Sequence, residues 1–449
     1  PNSTTNEENT IRTIGILMRD IDELTLEGDG STLLFHGKML SFMAQGCENL
    51  TIRNLTYDFV TPAVIDITVE SVNGNEAIIF MPDVFNYEIV NGNNMVFYGE
   101  TSPYTGEVYW SLSGHPYDQI NEMNTGETYR VWNGAKTIFG NCTSIEDLGG
   151  MRFKFTYSGT PACKPGYSMH IKQTVRDNPS MLLWESENIL LQDIRAMHMH
   201  SFGIVGQFSK DITVDNVEVV ADERKGTLSA AAADMMQMSG CGGTITVKNC
   251  HYVNPGDDPI NIHGTFLQIE KVLAPNKIVV RYMQSETYGF PNYYVGDTVD
   301  LVSRNTLNTV QTYTVTEVEN PDPNDYTKEE HKTITLTLDG DLPAGINASN
   351  CSGYVMENVT YNPNVHITDC VFEESPVRGV LCTTRGKVVI ENSVFRNMNM
   401  HSIFISDDAN GWYESGYCRD VTIRNNLFEL CNQSPIDFGP VVHNPDKND

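Results

Sequence analysis

The chain has 449 residues, of which 58 are Asp or Glu and 29 are Lys or Arg, so its formal net charge is −29. Such a charge repels phosphate backbones and anionic lipid surfaces, and we expect neither nucleic-acid binding nor peripheral membrane binding. Hydrophobic residues make up 40% of the chain and charged residues 19%, which is typical of a globular protein with a large core. No uncharged apolar stretch approaches the ~18 residues of a bilayer crossing, so membrane insertion is not expected either.

Ten cysteines occur singly along the chain, without any CxxC pair. Neither a zinc ribbon nor a thioredoxin-like motif is therefore present, and we expect no metal and no cofactor. Cys250 and Cys370 each directly follow the key residue of the repeat described next, which indicates small core residues rather than bridge partners. The sequence makes no prediction of the oligomeric state.

One pattern recurs seven times: two apolar residues at positions −4 and −2, an Asn or Asp at position 0, and usually an apolar residue at +3. The residues at position 0 are Asn54, Asp193, Asn216, Asn249, Asp369, Asn392 and Asn425. Alternating β-branched residues before a polar corner predict one rung of a right-handed parallel β-helix, in which stacked Asn side chains hydrogen-bond along the column. Intervals of 23 and 33 residues predict a rung of about 23 residues with a ten-residue excursion in alternate gaps. A β-sandwich would not produce this one-directional period.

Two segments interrupt the repeat, at residues 60–175 and 265–354. Both alternate around turn sequences such as Asn-Gly and Pro-Asp-Pro, as antiparallel hairpins do. We therefore expect an all-β protein in which residues 1–59, 176–264 and 355–449 form a parallel β-helix carrying the active site, with small antiparallel β-domains inserted at 60–175 and 265–354. The last repeat lies close to residue 449, so we expect a full-length protein to continue with further rungs.

Three carboxylates fall at one expected corner of the β-helix. Asp257 lies 23 residues after Asp234, which is one rung, so the two side chains should stack with Asp258 beside them. Like charges this close raise the pKa of at least one group, which then holds the proton of a general acid, while an ionised neighbour acts as a base on water. This combination is typical of a glycosidase. The alternatives are a polar turn after Pro-Gly and a calcium cage.

Four segments resemble glycoside hydrolase family 110, the bacterial α-1,3-galactosidases that include enzymes cleaving the blood group B antigen. They read AAADMMQM, NPGDDPINIHGT, LCTTRGKVVIENSVF and ISDDANGWYESGYCRDVTIRNNLFE. The resemblance runs from about residue 14 to about residue 440, and the three-Asp arrangement is more distantly similar to that of polygalacturonases. It implies an exo-acting enzyme that removes terminal α-1,3-linked galactose from glycans and is secreted, periplasmic or at the bacterial cell surface.

The resemblance also implies catalytic roles. Asp257 would be the general acid, and Asp234 and Asp258 would share the activation of an attacking water in an inverting hydrolysis. Stacked rungs would place the acids near the ~5–5.5 Å separation associated with retention rather than the ~6.5–9.5 Å associated with inversion. The family nevertheless favours inversion.

A neutral galactose needs a stacking face and polar contacts. Trp412 and Glu414 lie in a ten-residue excursion that can overhang a groove. We expect Trp412 either to stack on the sugar or to cover the local core, and we expect Glu414 and Arg385 to hold hydroxyl groups. An ion pair between Arg385 and the Asp407–Asp408 pair is the simplest interpretation of those two acids.

Further candidates for substrate binding flank the acids. Asn261 and His263 follow the Asp pair by strand alternation, and either can point into the groove. His198 and His200 lie one rung before Asp234, where a place in the pocket wall or the core is favoured over zinc binding because no third ligand accompanies them. His200 is kept as a candidate wall residue.

Two other functions compete with a galactosidase. A pectin-type hydrolase or lyase must hold uronate carboxylates with Lys, Arg or calcium, but residues 251–264 contain no Lys or Arg and the chain is strongly acidic. A non-catalytic glycan-binding β-helix is the other alternative, because a fold alone does not decide function. The stacked acids favour an enzyme, since binding alone has no use for a carboxyl with a raised pKa.

Overall fold

The computed structural model describes residues 12–113, 117–124, 127–131, 138–172, 177–320 and 329–445. In these ranges the chain consists of β-strands with three 3₁₀ turns, at Glu223–Lys225, Glu330–Lys332 and Cys351–Gly353. None of the helices in this part of the chain has the length and apolar character needed to cross a lipid bilayer.

Two parallel sheets form the walls of a β-helix, which confirms the predicted fold class. The strands of the first sheet are Ile14–Arg19, Leu40–Gln45, Met181–Trp184, Ile204–Gln207, Met236–Ser239, Ile260–Thr265, Val380–Cys382, Ile403–Ile405 and Ile436–Phe438. Each strand pairs in parallel with the next. A short strand, Glu414–Ser415, adds to Ile260–Thr265 in the antiparallel sense.

The second parallel sheet contains the repeats. Its strands are Thr25–Phe35, Glu48–Phe59, Glu187–Ala196, Lys210–Val219, Gly242–Lys248, His251–Val253, Asn364–Thr368, Val371–Glu373, Lys387–Glu391, Val394–Arg396, Asp420–Arg424 and Leu427–Glu429. The pairing is parallel and in register from one repeat to the next, so Asn249, Asp369, Asn392 and Asn425 form one column.

The Asn or Asp of every repeat bends the chain between two short strand segments. All seven have a left-handed backbone, with φ between 52° and 57°, and short polar side chains tolerate this conformation best. The expected hydrogen bonding along the column is confirmed for Asn216, whose Nδ2 donates to Oδ1 of Asp193 over 2.6 Å. It is wrong for Asn249, whose Nδ2 donates to Oδ1 of Asp215 over 2.8 Å.

The interior of the β-helix holds the apolar residues of the repeats. Side chains at positions −4 and −2 are buried in the first six repeats and partly buried in the last. The +3 rings of Phe372, Phe395 and Phe428 stack with centroids 5.0 and 5.3 Å apart. Cys250 and Cys370 are buried and unbridged, as predicted for core residues. The repeat therefore encodes one continuous core.

Replacing Ile390 by Ala should lower the free energy of unfolding by about 2–5 kcal/mol, because the side chain is fully buried between rungs. Val389→Ala is the matched control, since Val389 lies on the same strand with the opposite orientation and is partly exposed. Urea unfolding followed by circular dichroism measures both. Equal losses in the two variants would contradict the assigned register.

Antiparallel strands occupy the first interruption of the repeat. A seven-stranded sheet contains Val64–Asn73, Glu76–Phe80, Tyr117–Asn124, Glu127–Val131, Cys142–Gly149, Arg152–Tyr157 and Tyr167–Lys172. A three-stranded sheet contains Asn86–Val90, Asn94–Tyr98 and Ser111–Ser113. These sheets enclose an apolar cluster of their own, separate from the core of the β-helix.

A closed six-stranded antiparallel barrel occupies the second interruption. Its strands are Leu267–Ala274, Lys277–Arg281, Thr298–Ser303, Thr309–Glu319, Thr333–Leu338 and Tyr354–Asn358. The barrel also has its own apolar core. The division of the chain into domains with boundaries at 60–175 and 265–354 stays a prediction.

Candidate active site

A pocket opens on the outer face of the first parallel sheet. Its lining residues are Asp234, Gln237, Asp257, Asp258, Asn261, His263, Thr265, Thr287, Arg378, Leu381, Trp412, Tyr413 and Glu414. The structure thus brings together the three acids singled out in the sequence and four of the six candidate binding residues. The other two, Arg385 and His200, lie elsewhere.

The strand register changes which acids are level with each other. Met236 pairs with Ile260, so Asp234 is level with Asp258 rather than with Asp257. The expected stacking of Asp234 on Asp257 is therefore wrong by one residue, because this turn of the β-helix is 24 residues long. Asp234 and Asp258 are 4% and 1% exposed, whereas Asp257 is more accessible.

Arg378 holds Asp258 in place. Its Nε donates to Oδ1 of Asp258 over 2.9 Å, and its backbone N–H donates to the same oxygen over 3.3 Å. Burial raises the pKa of Asp258; although Arg378 lowers it, the charges of Asp257 and Glu414 help to keep that pKa at about 7. A carboxyl group with this pKa exchanges its proton near neutral pH, which suits acid–base chemistry.

Arg378 is not among the site residues predicted from the sequence, although the repeats contain a signal for it. Val380 pairs with Ile260, so Arg378 lies one rung after Asp258 in the same column. It follows Asp369 by nine residues, the same number that separates Asp258 from Asn249. Residues 251–264 contain no Lys or Arg, but the folded chain brings Arg378 to the acids. Four carboxylates against one guanidinium still leave the pocket acidic.

A hydrogen-bonded wall faces the acids. His263 Nδ1 lies 2.7 Å from the carbonyl oxygen of Gly264, which requires a proton on Nδ1, so in the neutral ring Nε2 accepts from Nε2 of Gln237 over 3.0 Å. Nδ2 of Asn261 donates to Oε1 of Glu414 over 3.1 Å. These contacts fix the orientation of the polar groups in the pocket.

Three oxygen atoms of this wall are buried without a hydrogen-bond partner in the described structure. They are Oδ1 of Asn261, Oε1 of Gln237 and Oγ1 of Thr265. A buried polar atom without a partner costs about 1–3 kcal/mol, so such atoms in a pocket indicate positions that a ligand or water fills. All three can accept a hydrogen bond from a hydroxyl group.

The loop that carries Trp412 is held by one carboxylate. Asp408 accepts hydrogen bonds from the backbone N–H groups of Asn410, Gly411 and Trp412 over 2.8, 2.6 and 2.8 Å. The Trp412 side chain is 45% exposed beside the pocket, so it does not cover a core. A loop tied in this way presents the ring in a defined position.

The barrel supports the same loop from the other side. Arg304 donates from Nε to the carbonyl oxygen of Ala409 over 2.9 Å and from Nη2 to the hydroxyl of Tyr413 over 2.7 Å. Thr287, which also belongs to the barrel segment, lines the pocket. The second interruption of the repeat is therefore part of the site.

The first interruption contacts the segment that leads to Asp234. Nζ of Lys172 donates to the carbonyl oxygen of Ala232 over 2.6 Å, and Asp66 accepts the backbone N–H groups of Leu228 and Ser229 over 2.7 and 3.1 Å. Leu228, Ser229 and Ala232 lie in the chain just before Asp234. The antiparallel sheet thereby holds the segment that delivers Asp234.

Arg385 has a structural position instead of the expected place in the pocket. It forms ion pairs with Glu357, over 3.0 Å from Nε, and with Asp300, over 2.6 Å from Nη1. Both acids lie on barrel strands and are buried. The expected ion pair with Asp407 and Asp408 is wrong, because the guanidinium is turned to the barrel.

His200 is likewise not a pocket residue. Its Nε2 lies 2.9 Å from Oδ1 of Asp177, and its ring packs against Phe59. His198 is buried, accepts the backbone N–H of Ala63 over 3.3 Å, and has its pKa lowered to about 3 by burial. Within the described ranges no group of three or more His, Cys, Asp or Glu side chains is arranged to hold a metal ion.

Known proteins resemble the chain over most of its length. Residues 277–351, in the barrel, match the family described as GLAA-B beta-barrel domain II. The α-1,3-galactosidase A of Streptomyces avermitilis is 36% identical over 96% of this chain and 71% of its own length. That of Peterkaempfera griseoplana is 37% identical over 96% of this chain and 60% of its own length.

Among solved structures, the Yersinia enterocolitica family 28 exopolygalacturonase is similar over 92% of this chain and 60% of its own, with 11% identity and a TM-score of 0.27. The sequence relatives are far closer, and the match with them includes the segments that carry the three acids and the Trp412 loop. The chain is a glycosidase and belongs to glycoside hydrolase family 110, the family of the α-1,3-galactosidases.

Proposed function

We propose that the pocket binds a terminal galactose and that the protein hydrolyses its α-1,3 linkage to a glycan with inversion. The three buried oxygens of Asn261, Gln237 and Thr265 carry most of the support, because they suit a ligand rich in hydroxyl donors. The relatives named α-1,3-galactosidase favour galactose as that ligand. The exposed ring of Trp412 offers a face for the C–H groups of the sugar.

The acidic pocket favours a neutral sugar over a uronate. Arg378 is the cation that a pectin-type enzyme would need, but its guanidinium is already paired with Asp258. The nearby charges of Asp258 and Asp257 raise the pKa of Arg378 although burial lowers it. A substrate carboxylate would therefore meet several acids and a neutralised arginine.

The positions of the three acids suggest a different role for Asp257 than for Asp234 and Asp258. Asp258 keeps Oδ1 on Arg378, which leaves Oδ2 to take a proton from water, and Asp234 lies level with it one rung away. Asp257, the more accessible acid, would protonate the leaving oxygen. The short spacing between rungs separates the two proposed bases, Asp234 and Asp258, from each other. It is not the distance between the base and the acid Asp257, so it does not argue against inversion.

A panel of α-galactosides that differ in linkage tests this function. We expect cleavage of α-1,3-linked galactose, with β-galactose as the first product in the NMR spectrum, because water attacks opposite the leaving group. Polygalacturonate belongs in the same panel. Initial release of α-galactose would contradict inversion, and unsaturated products that absorb in the near ultraviolet would indicate a lyase instead.

A further inference from the structure

The pocket is closed on the side of the earlier rungs. The outer face of the first parallel sheet there carries Leu182 and Val205, which pack with Phe202, Met43 and Ala233 into an apolar cluster whose members are at most 7% exposed. Val205 is level with Gln237 of the pocket in the strand register. A ligand in the pocket therefore has no room to extend over these rungs.

The same column continues on the opposite side. Asn261 is level with Leu381, Leu381 with Phe404, and Phe404 with Asp437, each one rung further along the first parallel sheet. Asn261 and Leu381 line the pocket, while Phe404 and Asp437 lie beyond it and are partly exposed. With rungs about 4.8 Å apart, Phe404 lies about one sugar width from the pocket floor.

Neighbouring side chains hold the Phe404 ring in this position. The His401 ring stacks on it with centroids 5.6 Å apart at 19°, and the Arg378 guanidinium lies 5.9 Å from its centroid. Gly439 of the next rung leaves space for it, because a Cβ atom there would come 2.7 Å from the ring. His401 in turn lies 3.4 Å from the carboxylate of Asp437.

We propose that Phe404, His401 and Asp437 form the subsite for the sugar that leaves, the residue to which the terminal galactose is linked. This inference rests on the proposed function. The partly exposed ring of Phe404 offers an apolar surface to the C–H face of that sugar. The carboxylate of Asp437, which is 43% exposed, accepts hydrogen bonds from its hydroxyl groups. Because the other side is closed, the leaving sugar has to lie over these rungs.

Two substrates that share galactose but differ in leaving group test the subsite. An α-1,3-linked digalactoside places a sugar over Phe404, whereas α-galactosyl fluoride places only a fluorine atom near the acids. We expect Phe404→Ala to lower kcat/KM for the digalactoside about tenfold relative to kcat/KM for the fluoride. The loss of one aromatic contact changes an equilibrium constant by about this factor. Asp437→Ala should lower the same ratio by a smaller factor.

Phe438→Ala is the matched control, because Phe438 lies on the same strand as Asp437 with the opposite orientation and is 59% exposed. Its ratio should equal that of the wild type. If Phe404→Ala leaves the ratio unchanged while the wild type hydrolyses both substrates, the subsite is wrong and the proposed function stands. If the wild type hydrolyses neither substrate, the proposed function fails and the subsite fails with it.

Discussion

Asp257→Asn should reduce the hydrolysis of α-1,3-linked galactosides by about 10²–10⁴-fold, because a sugar alkoxide leaves only with a proton. The same variant should lose at most about tenfold on α-galactosyl fluoride, whose leaving group needs less protonation. Steady-state kcat/KM on the two substrates measures the difference. An asparagine has the size and shape of an aspartate but cannot donate an acidic proton. The change therefore tests proton donation by Asp257.

Asp234→Asn is the comparison for this result. If Asp234 shares the activation of water with Asp258, its loss should be severe on both substrates, because the attack of water is common to them. Dependence on the leaving group in Asp234→Asn, and not in Asp257→Asn, would reverse the assigned roles. Near-wild-type activity in both variants would show that the chemistry takes place elsewhere.

The repeat predicted the β-helix because its residues satisfy local and long-range requirements together. Apolar residues at −4 and −2 are buried in the first six repeats and partly buried in the last, and the residue at position 0 has the left-handed backbone that Asn and Asp accept. The in-register pairing of strands then makes residues a fixed distance apart in sequence into spatial neighbours. One rung length was enough to find the acids.

Counting rungs failed where turns vary in length. The two sheets have different intervals between paired residues. In the first sheet, Ile204, Met236 and Ile260 pair at intervals of 32 and 24 residues, whereas the repeat in the second sheet predicts 33 and 23. This difference moves the partner of Asp234 from Asp257 to Asp258. Arg378 was missed because the barrel separates it from Asp258 by 120 residues, although both hold the same place in their rungs.

Arg385 shows a different limit of sequence reasoning. The partners of Arg385, Glu357 and Asp300, lie on barrel strands outside the repeat. Only the folded chain brings Glu357 and Asp300 close enough to pair with the buried guanidinium of Arg385, and no rung spacing relates them to it. The same applies to Arg304, which ties the barrel to the loop of Trp412. Asp177, by contrast, lies 23 residues before His200, which is one rung, so rung counting could have paired these two.

The pH dependence of the reaction separates a base from an acid at Asp258, whose pKa is about 7. A base must be deprotonated, so if Asp258 activates water, kcat/KM rises as pH increases through about 7. If Asp258 were instead the general acid, kcat/KM would fall over the same range. This limb of the pH profile, the change in kcat/KM around pH 7, therefore tests the role of Asp258 in the wild-type protein by whether it rises or falls.

Arg378→Met should move that limb to higher pH, because the guanidinium is the main group that favours the ionised form of Asp258. A shift of one unit would lower kcat/KM about tenfold at pH 6, with a much smaller loss at pH 9. Arg378→Lys keeps the positive charge and should shift the limb less, and thermal unfolding verifies that both variants fold. A uniform loss at every pH, with the limb unmoved, would mean that Arg378 shapes the pocket without setting the ionisation of Asp258.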